Sequence, residues 1–440
     1  MPHTSQFRRA IVVFALILLT WPLVACRQSP RESVSITFLD PEWSHDMSER
    51  KELMDIALQQ FTYETGIRVR HLPAPESVED QLALARQMLE KGTADVYSID
   101  VVWPGILKDN LFDLGPEFAS EMSAEDPELI ANFTVQNRLV AVPFHTNVGI
   151  LFYRADLLRE YGFSAPPKTW DELEKMAARI QAGERAKGDH DFWGFLWPGA
   201  ASEGLTCVAL EWQFAEGGGH IIEQDGKITV NNPNTVRAWQ RAAHWIGRIS
   251  PPAVLSYQEW DSINAFRYTR KAAFMRSWTS DYFLSHPAHS EISNREGATA
   301  VPGGSSTRVS AMGGIGLAIS RSTAHHAEAV RLVKFLVQKE KQLDEARRTS
   351  HPSGQDEMVD LPAILKAYSN AEQSVEKRRS SVVMRPSTVT GQKYEKVSQA
   401  YFQAVFSVLS GKAKAGAAAA NLEEELIDIT GLQAGPPPAK

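Results

Sequence analysis

Three stretches decide the fold: Val34-Ser-Ile-Thr-Phe-Leu39, Ile67-Arg-Val-Arg-His-Leu72 and Ala94-Asp-Val-Tyr-Ser-Ile99. Each is rich in β-branched and aromatic residues, which is typical of strands. Apolar residues at helical spacing fill the intervals between them, and Gly66 and Gly92 are suited to end the two helices. This β-α-β-α-β order predicts a largely parallel sheet with helices on both faces.

Acidic residues follow two of these strands. Glu42 comes shortly after the first strand, and Asp100 comes directly after the third. Ligands of open α/β sheets bind beyond the carboxyl ends of strands, so we expect both carboxylates near a ligand. Taken singly, each carboxylate is more typical of a helix cap or a turn.

A second α/β block begins near residue 140. It contains a predicted strand from Gly149 to Tyr153 and a helix capped by Thr169 and Glu172. Later features are a strand at 193–197, a turn at Asp225-Gly226, a helix at 235–249, strands at 298–301 and 316–320, and helices from Leu361 onward, including the Ala-rich 413–420.

The first 26 residues predict export and lipid attachment. Arg8 and Arg9 precede an apolar run, Ala10 to Leu19, which is too short to cross a bilayer as a helix. The following Leu23-Val-Ala-Cys26 resembles the bacterial lipobox, in which the cysteine thiol is diacylated and the chain is cleaved just before it. The alternative is a plain secreted protein with an incidental cysteine.

The length of the mature chain predicts more than one lobe. The 440 residues less the 25 before Cys26 leave 415, which is more than one hydrophobic core usually supports. We expect these parts: a signal peptide at 1–25, a first lobe of 26–143 plus about 292–345, a second lobe of 144–291 plus about 346–433 with the C-terminal helices, and a disordered tail at 434–440.

Loss of the signal peptide removes Arg8 and Arg9 and no acidic residue, so the net charge moves from −7 to −9. This acidic balance argues against a nucleic-acid partner. Cys207 has no disulfide partner once Cys26 carries lipid, and its apolar helical surroundings predict a buried, inert thiol. The His-His pair at 325–326 lacks acids or cysteines at ligand spacing, so we expect no metal and no cofactor.

In several longer motifs the chain resembles family 1 extracellular solute-binding proteins, which are the carbohydrate-binding receptors of ABC importers, and within them the trehalose/maltose-binding branch. The order and spacing of these motifs are more specific than any one of them. They are Ala94-Asp-Val-Tyr-Ser-Ile-Asp-Val-Val-Trp103, Val142-Pro-Phe-His-Thr-Asn-Val-Gly-Ile-Leu-Phe-Tyr-Arg-Ala-Asp-Leu-Leu158, Ala273-Phe-Met-Arg-Ser-Trp278, Met312-Gly-Gly314 and Arg385-Pro386.

The resemblance implies an α/β fold of two lobes, the type II, maltose-binding-protein-like periplasmic-binding-protein fold, with C-terminal helices. It also implies a sugar ligand held between the lobes, with carboxylates or amides for its hydroxyls and aromatic rings for its apolar faces. The residues that the resemblance assigns to the ligand are Glu42, Asp100 and Asn147 for hydroxyls, Trp278 for stacking, Gly313 and Gly314 for backbone approach, and Arg385, with Trp43 and Trp103 as further aromatic candidates.

Each assignment has a plainer alternative. Trp278, Trp43 and Trp103 are also suited to core packing. Gly313-Gly314 is suited to a tight turn, and Arg385 before a proline is suited to an exposed extended segment.

The leading functional prediction is a lipid-anchored, monomeric receptor that delivers a sugar to the permease subunits of its importer and catalyses no reaction. An exported glycosidase is an alternative, because paired carboxylates beside aromatics also suit glycoside hydrolysis. A binding protein for a non-sugar solute is another.

Overall fold

The computed structural model describes residues 34–41, 48–75, 78–123, 127–284, 295–305, 307–338 and 382–436. The predictions for the signal peptide, Cys26, Glu42 and Trp43 lie outside these residues. Among the residues that are described, no helix combines the length and the apolar character that a membrane span needs.

The first part of the chain forms the predicted β-α-β-α-β unit. Its first strand pairs in parallel with both the second and the third. Gly66 ends the first helix with a φ of +73°, a conformation that costs glycine little. The elements are β1 Ser35–Pro41, α1 Ser48–Thr65, β2 Arg68–Ala74, α2 Val78–Lys91, β3 Val96–Asp100, α3 Pro104–Leu107, a 3₁₀ turn Lys108–Asn110, α4 Gly115–Met122, α5 Pro127–Phe133, β4 Thr134–Val135 and β5 Arg138–Leu139.

The middle part begins with a long strand and then builds a second layer of helices. Thr169 caps its helix as predicted, because its hydroxyl accepts from the Glu172 N–H at 3.2 Å. The helix predicted at 235–249 lies instead at 233–245, since Asn232 caps it earlier than expected. The elements are β6 Val142–Arg154, α6 Ala155–Glu160, α7 Trp170–Ala186, β7 Trp193–Leu196, α8 Glu203–Ala215, α9 Pro233–Trp245, a 3₁₀ turn Pro252–Ser256, α10 Glu259–Ile263, a π-helix Asn264–Tyr268, β8 Ala272–Trp278 and α11 Thr279–Leu284.

The last part returns to the sheet and ends in two long helices. The strand predicted at 316–320 already begins at residue 310. The Ala-rich segment is helical from residue 415, as predicted. The elements are β9 Glu296–Ala300, β10 Ser310–Ile319, α12 His326–Leu336, β11 Val382–Val383, α13 Ser387–Thr390, a 3₁₀ turn Gly391–Lys393, α14 Tyr394–Leu409 and α15 Ala415–Thr430.

Nine of these strands form one sheet with the order β2-β1-β3-β10-β6-β8-β7, in which β11 also pairs with β10 and β9 with β6. The prediction of a parallel sheet is confirmed for β1, β2 and β3, which were its basis. The whole sheet is mixed, because β10 runs antiparallel to both β3 and β6.

Two large hydrophobic cores lie along this sheet. The first core includes Phe38, Ile99 and Leu317, and the second core includes Trp212 and Phe274. Helices α14 and α15 pack on the second core. Strands β6 and β10 contribute residues to both cores, so the backbone crosses between them at these two strands. The exact boundaries of the two lobes stay a prediction.

Cys207 confirms the expectation of a buried thiol. It lies in α8 with 2% of its surface exposed. Burial raises the pKa of its thiol to about 12, so the reactive thiolate is scarce at neutral pH.

Gly149 in β6 is a position where only glycine fits. A Cβ atom there would lie 2.1 Å from Glu211 Oε1 and 2.5 Å from Arg276 Nη2, two side chains that are fully buried. We therefore expect Gly149→Ala to lower the free energy of unfolding by about 1–3 kcal/mol, the usual cost of overpacking a core. Urea denaturation followed by circular dichroism measures this change.

Gly416→Ala is the matched control, because Gly416 is exposed in α15 with nothing within 4 Å of an added Cβ. Gly416 lies in the first turn of α15 at a negative φ that alanine also adopts, so this change stabilises by roughly 0.4–1 kcal/mol. Equal midpoints for the two variants would contradict the packing at Gly149.

Candidate functional site

Four sequence-predicted residues come together where the sheet passes from the first core to the second. Asp100 ends β3 opposite Ile315 of β10. Two residues earlier on β10, Gly313 lies opposite Asn147 of β6. Trp278 ends β8 opposite Gly149, two residues beyond Asn147. The sheet register alone therefore gathers a carboxylate, an amide and an indole from three strands.

Trp278 is held on one face and at its edges. The Arg276 guanidinium carbon lies 4.1 Å from the centroid of the indole ring, a cation–π contact. Burial raises the pKa of the Glu259 carboxyl, while the charge of Arg276 and the neighbouring Trp278 side chain act in the opposite direction. A Cβ atom on Gly313 would lie 3.0 Å from the Cζ3 of the ring. The ring remains partly exposed, although it also packs against the second core.

Arg276 is itself fixed by a buried ion pair. Its Nη2 lies 2.6 Å from Glu211 Oε1 and its Nε lies 3.1 Å from Oε2, so the contact is bidentate. Both side chains are at most 1% exposed. Glu211 Oε1 also accepts from the Ala311 N–H at 2.9 Å. This pair joins β8, α8 and β10 directly beneath the Trp278 ring.

Asn147 has a structural task in addition to any binding role. Its Oδ1 accepts from Thr279 Oγ1 at 2.6 Å and from the Ser280 N–H at 3.0 Å. Its Nδ2 donates to Ser280 Oγ at 2.9 Å. These bonds fix the start of α11 directly after Trp278, and one amide hydrogen of Asn147 has no bond among them. Its contact with a ligand stays a prediction.

Arg385 lies between Asp100 and Glu203, so it connects residues from β3 and α8. Its Nη2 donates to the Met312 carbonyl oxygen at 3.0 Å and lies 4.0 Å from Asp100 Oδ1, while its Nη1 lies 2.7 Å from Glu203 Oε1. Arg385 is 6% exposed, so the alternative of an exposed surface residue is wrong. Burial raises the pKa of the Asp100 carboxyl, while Arg385 and the Val102 N–H act in the opposite direction.

Two further assignments depend on local packing. Gly313 and Gly314 lie within β10, so the alternative of a tight turn is wrong. Gly314 has a φ of +123°, and a Cβ there would lie 2.1 Å from the His145 carbonyl oxygen, so only glycine fits. Trp103 is 3% exposed within the first core, which favours core packing over contact with a ligand.

Sequence reasoning missed two carboxylates at this site, Glu203 and Glu259. Glu203 follows β7, which pairs in parallel with β8, so the rule that selected Asp100 would also have selected it. Its carboxylate accepts from Arg385, Tyr394 and Ser398. Glu259 opens the short helix α10, and no local pattern distinguishes it from a solvent-exposed acid.

The described fold is similar to solved structures of solute-binding proteins. Maltose-bound T. maritima MalE3 has a TM-score of 0.75 and 28% identity, covering 90% of this chain and 100% of that one. An ABC transporter solute-binding protein of Thermotoga lettingae, solved with α-D-tagatose, has a TM-score of 0.75 with 20% identity and covers 90% of this chain and 100% of its own. These likenesses confirm the predicted two-lobed α/β fold.

The sequence comparisons agree with this fold. A relative from Deinococcus radiodurans, described as a probable ABC transporter-binding protein, is 38% identical over 423 residues, which are 95% of this chain and 99% of the relative. The family model described as bacterial extracellular solute-binding protein matches residues 57–372. Since that match spans well over half of the 440 residues, the chain belongs to the bacterial extracellular solute-binding protein family.

Proposed function

We propose that this protein is the lipid-anchored receptor of an ABC importer, and that it captures a sugar, most simply a disaccharide such as trehalose or maltose. The observation that carries the proposal is the partly exposed ring of Trp278 at the end of β8, with Asp100 at the end of β3 in the same sheet. A sugar presents apolar C–H faces and hydroxyl donors, which match an indole ring and carboxylate oxygens.

Two likenesses support the proposal. The T. maritima MalE3 structure contains maltose, and at 28% identity over 90% of this chain it is a relative by sequence as well as by fold. The D. radiodurans relative is described as an ABC transporter-binding protein. We transfer both sugar binding and the association with an ABC transporter to this chain, and so propose that it is the sugar-binding component of an importer.

Capture requires no bond to be made or broken. A sugar that contacts Asp100 from the first core and Trp278 from the second gains more contacts when the two sides are close together. Such a ligand shifts the population toward the closed arrangement by the free energy of those extra contacts. The permease subunits then receive the sugar from the closed receptor.

Lipid on Cys26 completes this function. A receptor confined to the membrane meets its permease at a raised effective concentration without any additional contact between them. This makes the protein part of the cell envelope, in the periplasm or at the outer face of the cytoplasmic membrane, and we propose that it acts there as a monomer.

Isothermal titration calorimetry tests the ligand class. The wild-type mature chain is titrated with trehalose, maltose, sucrose and maltooligosaccharides, and Trp fluorescence is recorded in parallel. We expect saturable binding of at least one sugar with a change in Trp emission, because the site contains a partly exposed indole. Absence of both signals for every sugar would refute the sugar-binding function, and release of reducing sugar would instead support a glycosidase.

Trp278→Ala tests the stacking role. We expect it to weaken sugar binding by about 1–3 kcal/mol, the range for a residue that anchors an interface. Calorimetry at fixed temperature and salt measures the loss. Tyr63→Ala is the control, because Tyr63 is 92% exposed on α1 and its removal leaves the packing around Trp278 intact. Equal affinities of the two variants would remove Trp278 from the binding site.

Cys26→Ser tests the lipid anchor. Without the thiol no diacylation takes place, so we expect the variant in the soluble envelope fraction with its sugar affinity unchanged. Fractionation followed by immunoblotting measures the distribution. Cys207→Ala is the control and should stay with the membrane, since Cys207 is buried in α8. A Cys26→Ser protein that remains in the membrane fraction would exclude lipid at this position as the anchor.

A further inference from the structure

Resting on the sugar-binding function proposed above, we propose that His71 is a positioning residue whose positive charge fixes the carboxyl end of β1, so that sugar binding weakens as the pH rises. His71 contacts no sugar in this role. It acts through Asp40, the residue near the end of β1 that its ring faces.

The ring of His71 lies between two carboxylates that come from different elements. Its Nδ1 is hydrogen-bonded to Oδ1 of Asp55 in α1 at 2.9 Å. Its Nε2 lies 3.7 Å from Oδ2 of Asp40 in β1, an ion-pair distance. The ring also stacks on Phe38, with the two ring centroids 5.7 Å apart. The side chains of His71 and Asp40 are 14% and 9% exposed, so dissolved ions screen their contact little.

The charged groups that face His71 come from the two elements packed against this part of β2. Among the residues that the structure describes, β1 contributes Asp40 and α1 contributes Asp55. Arg70, which precedes His71 on β2, points to the opposite face of the sheet, because side chains alternate along a strand. A positively charged His71 therefore compensates two carboxylates at once.

These carboxylates let His71 keep its proton to a higher pH than an ordinary histidine. Burial acts to lower the pKa of the imidazole, but the neighbouring Asp40 and Asp55 outweigh burial and raise this pKa above 6.5. A group whose pKa is raised on folding stabilises the fold fully below the pKa of the unfolded chain, and this contribution is lost as the pH rises through the folded value. Above that pH the two carboxylates face a neutral ring and repel each other across it.

Asp40 connects this cluster to the proposed sugar site. Its Oδ1 accepts a hydrogen bond from the Ser98 hydroxyl of β3, and Asp100 ends that strand two residues later. Glu42, which the resemblance assigns to the ligand, follows Asp40 by two residues in the sequence. A charged His71 thus holds the carboxyl end of β1 beside that of β3, whereas a neutral His71 lets it loosen. Loss of such preorganisation weakens binding, because the ligand then has to order the site itself.

Calorimetric titration across a range of pH tests this role. The wild-type mature chain is titrated with maltose, or with trehalose where it binds only that sugar, from about pH 6 to about pH 9, a range that covers a histidine with a raised pKa. We expect its dissociation constant to rise by about five- to tenfold, the lower part of the range for coupling between two sites. In His71→Gln we expect the alkaline wild-type value at every pH, because this side chain never carries the charge.

Two further measurements separate this role from packing alone. NMR with isotope-labelled histidine gives the pKa of His71, whose signals are identified by their loss in His71→Gln. We expect a value above 6.5, and a higher one with saturating sugar, because coupling between two binding events is reciprocal. Asp55→Asn removes one carboxylate at a 41% exposed position, so it should lower both this pKa and the pH at which the affinity falls.

His190→Gln is the matched control, because His190 is exposed on a turn away from this cluster and its replacement should retain the wild-type pH profile. Equal pH profiles in wild type and His71→Gln, or a measured pKa of His71 at or below 6.5, would overturn this inference and leave the receptor function standing. Failure of the wild-type protein to bind any sugar at any pH would overturn the receptor function and, with it, this role of His71.

Discussion

The part of the sheet that connects the first core to the second depends on one buried ion pair, between Arg276 and Glu211. Removal of two charges from water costs several kcal/mol per ion, so such a pair persists only where hydrogen bonds satisfy it well. Here two N–H···O bonds join the partners, and the Ala311 N–H adds a third bond to the carboxylate. Because these residues come from β8, α8 and β10, loss of either charge would leave the other uncompensated and loosen three elements together.

The pair also explains the orientation of the Trp278 ring. Arg276 presents its guanidinium to one face of Trp278 while its Nε and Nη2 donate to Glu211, and a desolvated cation–π contact is worth about 2 kcal/mol. Three residues after Trp278, Asp281 accepts a hydrogen bond from the Trp278 backbone N–H through its Oδ2 at 3.0 Å. Arg267 Nη1 in turn donates to the Asp281 carbonyl oxygen at 2.9 Å. The indole is therefore fixed through its ring and through its backbone before any solute arrives.

Local patterns in the sequence predicted the strands and caps because their causes are local. The alternation around Phe38 and the Thr169 cap depend on residues within a few positions of each other, and the structure confirms both. Asp100 and Trp278 end strands β3 and β8, which run in opposite directions, so their carboxyl ends point toward each other from the two sides of β10 and β6. The antiparallel direction of β10 depends on the path of the whole chain, so short-range periodicity carried no information about it.

The sequence did not predict contacts between residues that are far apart along the chain. Arg276 and Glu211 are 65 residues apart, and nothing in either neighbourhood indicates the other. Burial of Trp103 was equally open, since its apolar neighbours suit a core and a cleft alike. Only the folded structure decides such cases.

The distribution of charge around Trp278 argues for an uncharged or cationic solute. The two arginines that the structure places here, Arg276 and Arg385, each already pair with a carboxylate, Glu211 and Glu203 respectively. A phosphate or carboxylate on a ligand would thus have to compete with an existing, largely buried partner, at a cost that buried ion pairs make large. Hydroxyl donors face no such competition at Asp100 or Glu259, because a carboxylate accepts several hydrogen bonds at once. The ion pairs of Arg276 and Arg385 thus favour a neutral polyhydroxylated ligand over an anionic one.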